Sequence, residues 1–261
     1  MTIPAYERPS NLLLAIEPTR AALSLGSLAP AWPLLERAPL GDGHPVLVLP
    51  GFTASDVSTR VLRGYLRRQD YHVHAWGLGR NLGPTPETVA GLRARVVELA
   101  ERHGQPMSLV GWSLGGIYAR EIARAVPGLV RQVVTLGSPF RMRDPRASNA
   151  AALFGVLGGR PGGPWRRRAM GRPPEEELGP LPVPATSIYS RSDGVVPWRA
   201  CLEIPSARSE SVEVRASHTG LGHHPAALWV IADRLALPAG DWRPFRASGP
   251  ARVLFPPAPA A

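Results

Sequence analysis

Gly111-Trp112-Ser113-Leu114-Gly115, followed by Gly116, decides the reading of this chain. It joins an apolar run, Met107 to Gly111, that reads as a strand to a segment, Leu114 to Ala125, that reads as a helix stopped before Pro127. A serine between two glycines at an abrupt strand-to-helix turn is held in strained backbone angles, and small neighbours make room for the bend. Such a turn lifts the Ser113 hydroxyl above the sheet edge. It also brings the first amides of the helix beside any negative charge that develops there.

Outward from this turn, strands and helices alternate. Val46 to Leu49 is an apolar run between Pro45 and Pro50, as expected of a strand buried on both faces. Val57, Val61, Leu62 and Leu66 follow at helical spacing, and His72 to Trp76 alternates like a strand. Thr85-Pro86-Glu87 opens a helix with Val89, Leu92, Val96 and Leu99 as its apolar stripe, closed by Gly104. Val133 to Leu136, Thr186 to Tyr189 and Ser211 to Val214 read as further strands, and a last helix starts at Pro225 with Leu228, Ile231 and Leu235 inward. Strands separated by helices pair in parallel through right-handed crossovers, so the expected class is α/β.

A serine hydroxyl needs a base, and the base needs an orienting carboxylate. Asp193, in Ser190-Arg191-Ser192-Asp193-Gly194-Val195-Val196-Pro197, follows a strand end; His218, in Ala216-Ser217-His218-Thr219-Gly220, lies just past the last strand. Both fall in loops at the carboxyl ends of strands, where open α/β sheets bind ligands.

With these residues the chain resembles the α/β-hydrolase fold family of lipase and esterase type, over roughly residues 44 to 236. The resemblance implies a mostly parallel central sheet with helices on both faces and a cap or lid insertion. It implies Ser113 as nucleophile, His218 as base and Asp193 as acid. The backbone amides of Phe52, in Leu49-Pro50-Gly51-Phe52, and of Leu114 would form the oxyanion hole; Pro50 stands where lipases often carry a histidine, which leaves a backbone donor unaffected. The implied activity is hydrolysis of carboxylic esters without metal or organic cofactor. Thioester hydrolysis and acyl transfer are the nearest alternatives, and a non-catalytic binding protein on the same scaffold is a further one. Trp112, Trp198 and the apolar residues Leu153, Phe154, Val156 and Leu157 are expected either to line an acyl pocket or to pack an insertion onto the body.

Rival residues read as structural. His223 and His224 adjoin at a helix start and point apart, with no set of ligands for zinc. His44, His72, His74 and His103 read as packing residues, and Asp144, within Arg143-Asp144-Pro145-Arg146, as surface charge. Gly77-Leu78-Gly79-Arg80-Asn81-Leu82-Gly83 is a glycine-rich turn whose third glycine comes one place late for a dinucleotide loop.

The expected organisation is one domain over 1–261. It comprises a helical N-terminal extension (1–40), a core (41–140 and 184–237), a cap or lid insertion (141–183) and an extended tail (238–261). The insertion carries Gly158-Gly159, Gly162-Gly163 and the cluster Arg166, Arg167 and Arg168. With 261 residues, 44% hydrophobic and 19% charged, the chain is long enough for a large core and is neither a disordered tail nor a fibrous repeat. The net charge is +10 and every basic residue is arginine. Scattered as they are, these arginines fit a GC-rich coding bias better than a nucleic-acid surface, so the expected partner is a small-molecule or lipid ester, with no nucleic acid. The N-terminal apolar segment and the arginines leave peripheral membrane contact open; oligomeric state is not readable. Cys201 is the single cysteine, so no internal disulfide forms. Leu12 to Ile16 is a short apolar run preceded by Glu7 and ended by Glu17-Pro18, a poor signal peptide, and the expected location is cytoplasmic.

Overall fold

Short strands separated by helical segments build a single parallel sheet in the computed structural model, which describes residues 6–142, 144–151, 173 and 175–255. Its strands are β1 (Pro45–Leu49), β2 (His72–Ala75), β3 (Met107–Trp112), β4 (Val130–Leu136), β5 (Ala185–Tyr189) and β6 (Ser209–Glu213). They lie in the order β2-β1-β3-β4-β5-β6, and every neighbouring pair is parallel. The helices are α1 (Asn11–Ala15), α2 (Glu17–Gly26), α3 (Leu28–Leu35), α4 (Arg60–Arg68), α5 (Pro86–His103), α6 (Leu114–Ala125), α7 (Glu175–Leu178) and α8 (Pro225–Leu235).

Alternation along β1 shows why helices cover both faces. Val46 and Val48 pack with Leu35 of α3, Leu62 and Leu66 of α4, and Leu228 and Ile231 of α8. Leu47 and Leu49 point the other way, into Leu92, Val96 and Leu99 of α5 and Ala119 and Ile122 of α6. Strand residues buried on both sides carry no polar alternation, which is why β1 reads as one apolar block. Because all strands run the same way, the loops after β1, β3, β5 and β6 emerge at one edge. The strand order reverses between β1 and β3, and the crevice at such a reversal is where α/β sheets bind ligands.

Helix α4 begins at Arg60 rather than at Val57, because Asp56–Thr59 is turned, with the Thr59 hydroxyl donating to the Asp56 carbonyl at 3.1 Å. Val57 therefore stands 78% exposed instead of joining the apolar stripe. In the tail, 241–248 has no regular structure, but Gly249–Leu254 forms a 3-10 helix that buries Ala251 beside α8. The expected insertion is described at its two ends. Asn149 donates from its backbone to the Val195 carbonyl at 2.8 Å, and Glu175 of α7 is ion-paired to Arg120 and Arg124 of α6. Leu153, Phe154, Val156, Leu157, Gly158-Gly159, Gly162-Gly163 and Arg166 to Arg168 lie outside the described residues. None of the described helices is long and apolar enough to cross a membrane.

Candidate active site

Ser113 sits between β3 and α6 with φ 52° and ψ −118°, a conformation L-residues avoid. The bend is tight on both sides. A Cβ on Gly111 would lie 2.4 Å from the Gly116 Cα, and one on Gly115 would lie 2.4 Å from the Leu49 carbonyl oxygen. The Ser113 amide donates to the Leu136 carbonyl of β4 at 2.8 Å, which ties the turn to the sheet.

Beside it runs the loop that follows β1. A Cβ on Gly51 would be 3.3 Å from the Ser113 Cβ, so the Pro50-Gly51-Phe52 backbone passes directly against the serine. This loop is held in place from the glycine-rich turn. The buried Asn81 donates its amide to the Pro50 carbonyl at 2.9 Å, and its own carbonyl receives the Thr53 amide at 2.7 Å. Thr53 has φ 62°, a costly angle for a β-branched residue and a further sign that the loop is built for position rather than comfort. The turn at Gly77 to Gly83 thus braces the loop through Asn81, a role with no signature in its glycine spacing.

Asp193 and His218 meet at the same edge. The Asp193 Oδ2 lies 2.6 Å from the His218 Nδ1, and Asp193 Oδ1 accepts the Val195 and Val196 amides, both at 2.8 Å. Both side chains are almost wholly buried. Burial would lower the imidazole pKa, but the charge and hydrogen bond of Asp193, together with the charge of Glu17, outweigh it and raise the His218 value above 6.5. Trp112, next to Ser113, donates its indole N–H to the His218 carbonyl at 3.1 Å, so the loops bearing serine and histidine are directly linked.

The N-terminal segment, expected as a mere extension, enters this site. Glu17, in the first turn of α2, is buried at 3% exposure. Its Oε1 accepts the amides of Gly194 and His218, each at 2.9 Å; its Oε2 accepts the Thr219 amide at 3.0 Å and the Thr219 hydroxyl at 2.9 Å. Arg20, one turn on, donates to the Ser192 carbonyl at 2.6 Å and its hydroxyl at 2.7 Å. In the sequence Glu17 is merely the residue that ends an apolar run, and backbone amides as partners leave no pattern to find.

Of the two tryptophans expected near substrate, Trp112 is committed to the His218 loop. Trp198 lines a cavity of about 640 Å³ with Asp193, Leu13, Val196 and Pro197, stacked on Tyr189 at 5.5 Å between ring centroids. Of the other histidines expected to pack, His72 is instead exposed on β2, its ring 5.2 Å from that of His103. The buried His44 bonds Ser108 at 2.7 Å, His74 and His103 share a 2.9 Å ring contact, and His224 caps α8 by accepting from the Ala226 amide. His223 bonds the Ala21 carbonyl at 3.0 Å, and Asp144 is exposed. Among the described residues no group of three or more His, Cys, Asp or Glu is placed to hold a metal ion.

No protein-family model matches the chain, and no curated protein matches its sequence. Solved structures do. Among them are the mature Bacillus licheniformis lipase BlEst2 (TM-score 0.58, 15% identity, 77% of this chain and 95% of that one) and Aspergillus fumigatus lipase B (0.62, 16%, 81% and 56%). The metagenome-derived lipolytic enzymes LipS and LipT are also similar (0.53, 21%, 70% and 88%). Likeness at such identities speaks to architecture, and the architecture is the α/β-hydrolase fold.

Proposed function

On this α/β-hydrolase fold, we propose that the protein hydrolyses carboxylic esters through a Ser113–His218–Asp193 triad. The observation that carries the reading is the 2.6 Å pair of His218 Nδ1 and Asp193 Oδ2, buried at the edge where the strained turn presents Ser113. With its Nδ1 proton donated to Asp193, the imidazole offers Nε2 as the basic nitrogen, the tautomer a general base requires. In the proposed reaction the Ser113 Oγ attacks the ester carbonyl while His218 takes its proton. The amides of Phe52 and Leu114 receive the oxyanion. The imidazolium then protonates the leaving alcohol, and a water activated by the same nitrogen releases the acid. Leu114 suits its part because the first amides of a helix have no acceptor within the helix.

A fluorophosphonate probe tests the reading. The wild-type protein should be labelled covalently and Ser113→Ala should not; labelling that survives this substitution removes Ser113 from the mechanism. A panel of esters and thioesters of graded acyl length then reads the substrate class, with carboxylic esters expected to turn over fastest.

A further inference from the structure

We propose that Glu17 is a positioning residue: its buried carboxylate holds the backbone of His218 and the loop of Asp193 in the one register that lets the imidazole serve Ser113. The inference rests on the catalytic reading above. Four hydrogen bonds from two separate loops converge on this one side chain, spanning sequence separations of 177 to 202 residues. One loop follows β5 and carries the acid; the other follows β6 and carries the base. Neither is in regular structure at the point of contact, so α2 supplies the rigidity that the sheet does not.

The fit is too close to be incidental. A Cβ on Gly194 would lie 2.6 Å from the carbonyl carbon and oxygen of Leu13, so the backbone of α1 rests directly on the acid loop and only glycine permits it. Burying a carboxylate is costly unless its oxygens are satisfied, and here both are. Burial alone would raise the Glu17 pKa, but the amides of Thr219, His218 and Gly194 and the Thr219 hydroxyl together bring it below 4.5, so the group stays ionised.

A fixed negative charge under the His218 backbone also favours imidazolium, which forms during the reaction. The charges that act on that ring are those of Asp193 on the β5 loop and Glu17 on α2; Arg20 lies beside Glu17, and His223 and His224 influence each other. The guanidinium of Arg20 lies 3.8 Å from Glu17 and opposes it, but its two short bonds go to Ser192.

The test compares the full-length protein with Glu17→Gln, which keeps the shape and removes the charge and one acceptor. We expect kcat on a p-nitrophenyl ester to fall about 10- to 100-fold with KM changed less than about twofold, the signature of a displaced catalytic group. The His218 ring, titrated by NMR with no substrate present, should show its midpoint moved to lower pH by about half a unit or more. A folded Glu17→Gln protein with the wild-type kcat and the wild-type midpoint overturns the proposal. If the wild type shows no Ser113-dependent labelling, the hydrolase reading fails, while the ring titration still reports on Glu17. If Glu17→Gln does not melt cooperatively, Thr219→Val removes one donor only. In that variant a fall of a few-fold in kcat, restored by Thr219→Ser, supports the positioning role, and an unchanged kcat overturns it.

Discussion

At Asp193 one carboxylate does two jobs with its two oxygens. Oδ1 is locked by the Val195 and Val196 amides, which leaves Oδ2 aimed at His218 Nδ1. An amide in its place would turn a donor toward Nδ1 and select the other tautomer, with the proton on Nε2, where it cannot accept from serine. Asp193→Asn should therefore lower kcat by about 10⁴-fold in the proposed mechanism while the protein still folds. Steady-state ester turnover beside a thermal melt checks this; a loss below about tenfold would show that Asp193 does not orient the base. Residue by residue, the sequence was readable where chemistry imposes a local pattern. The strained turn at Ser113 is legible because the bend needs Gly111 and Gly115, and the Asp193–His218 contact because both residues follow strand ends. Glu17 and Asn81 escaped because they act on main-chain groups of distant loops, and main-chain groups are the same in every sequence.

Between elements, buried charge joins α6 to α7, while Leu181 and Val183 pack in one apolar cluster with Ile122 and Ala123 of α6. Arg120 of α6 is fully buried, bonded to Glu175 of α7 at 2.6 Å and to Glu203 after β5 at 2.5 Å, with its guanidinium 3.7 Å from the centroid of the Phe140 ring. Truncating the cation leaves two carboxylates in a dry site, and breaking a buried pair from one side costs about 3–5 kcal/mol. Arg120→Ala should lose that amount in urea unfolding, whereas replacing a surface arginine such as Arg102, paired with the exposed Glu98, should leave the midpoint nearly unchanged. Equal losses would mean the buried network adds nothing to the attachment of α7. Elements were legible to within a few residues wherever a cap or an apolar period marks them. Helix α5 runs from Pro86 to His103, bounded by its caps Thr85 and Gly104, and β1 and α8 fall where their apolar positions put them. The start of α4 was misread at Val57 because a turn stabilised by Asp56 and Thr59 mimics helical spacing. The N-terminal helices were legible as helices, but not as part of the site, since their docking depends on tertiary contact alone.

For the molecule as a whole, the histidines set how the fold answers to acid. Burial, with the neighbouring His103 and Arg95 for His74 and His223 and Arg20 for His224, lowers both pKa values from 6.5 to about 4. Between those limits the unfolded chain binds more protons than the folded one, so stability falls as pH falls through this window. His218 works the other way. Its raised value means that its contribution is fully present below 6.5 and is lost only as pH rises through the folded value. Asp42 resists acid further still. Burial would raise its pKa, but hydrogen bonds from His44 and Arg131 hold it far below 3.8, so its contribution persists above that point and is lost only in stronger acid. The melting temperature should therefore begin to drop below about pH 6.5, in the histidine range and ahead of ordinary carboxylates, with each kcal/mol lost seen as about 2–4 °C. Replacing both groups, His74→Gln with His224→Asn, keeps a capping acceptor on α8 and removes the two protonation sites. The double variant should lose less melting temperature than the wild type from pH 6.5 down to about 4.5, the remaining fall coming from His44 and His103, whose values burial also lowers; parallel curves over that range would place the acid sensitivity elsewhere.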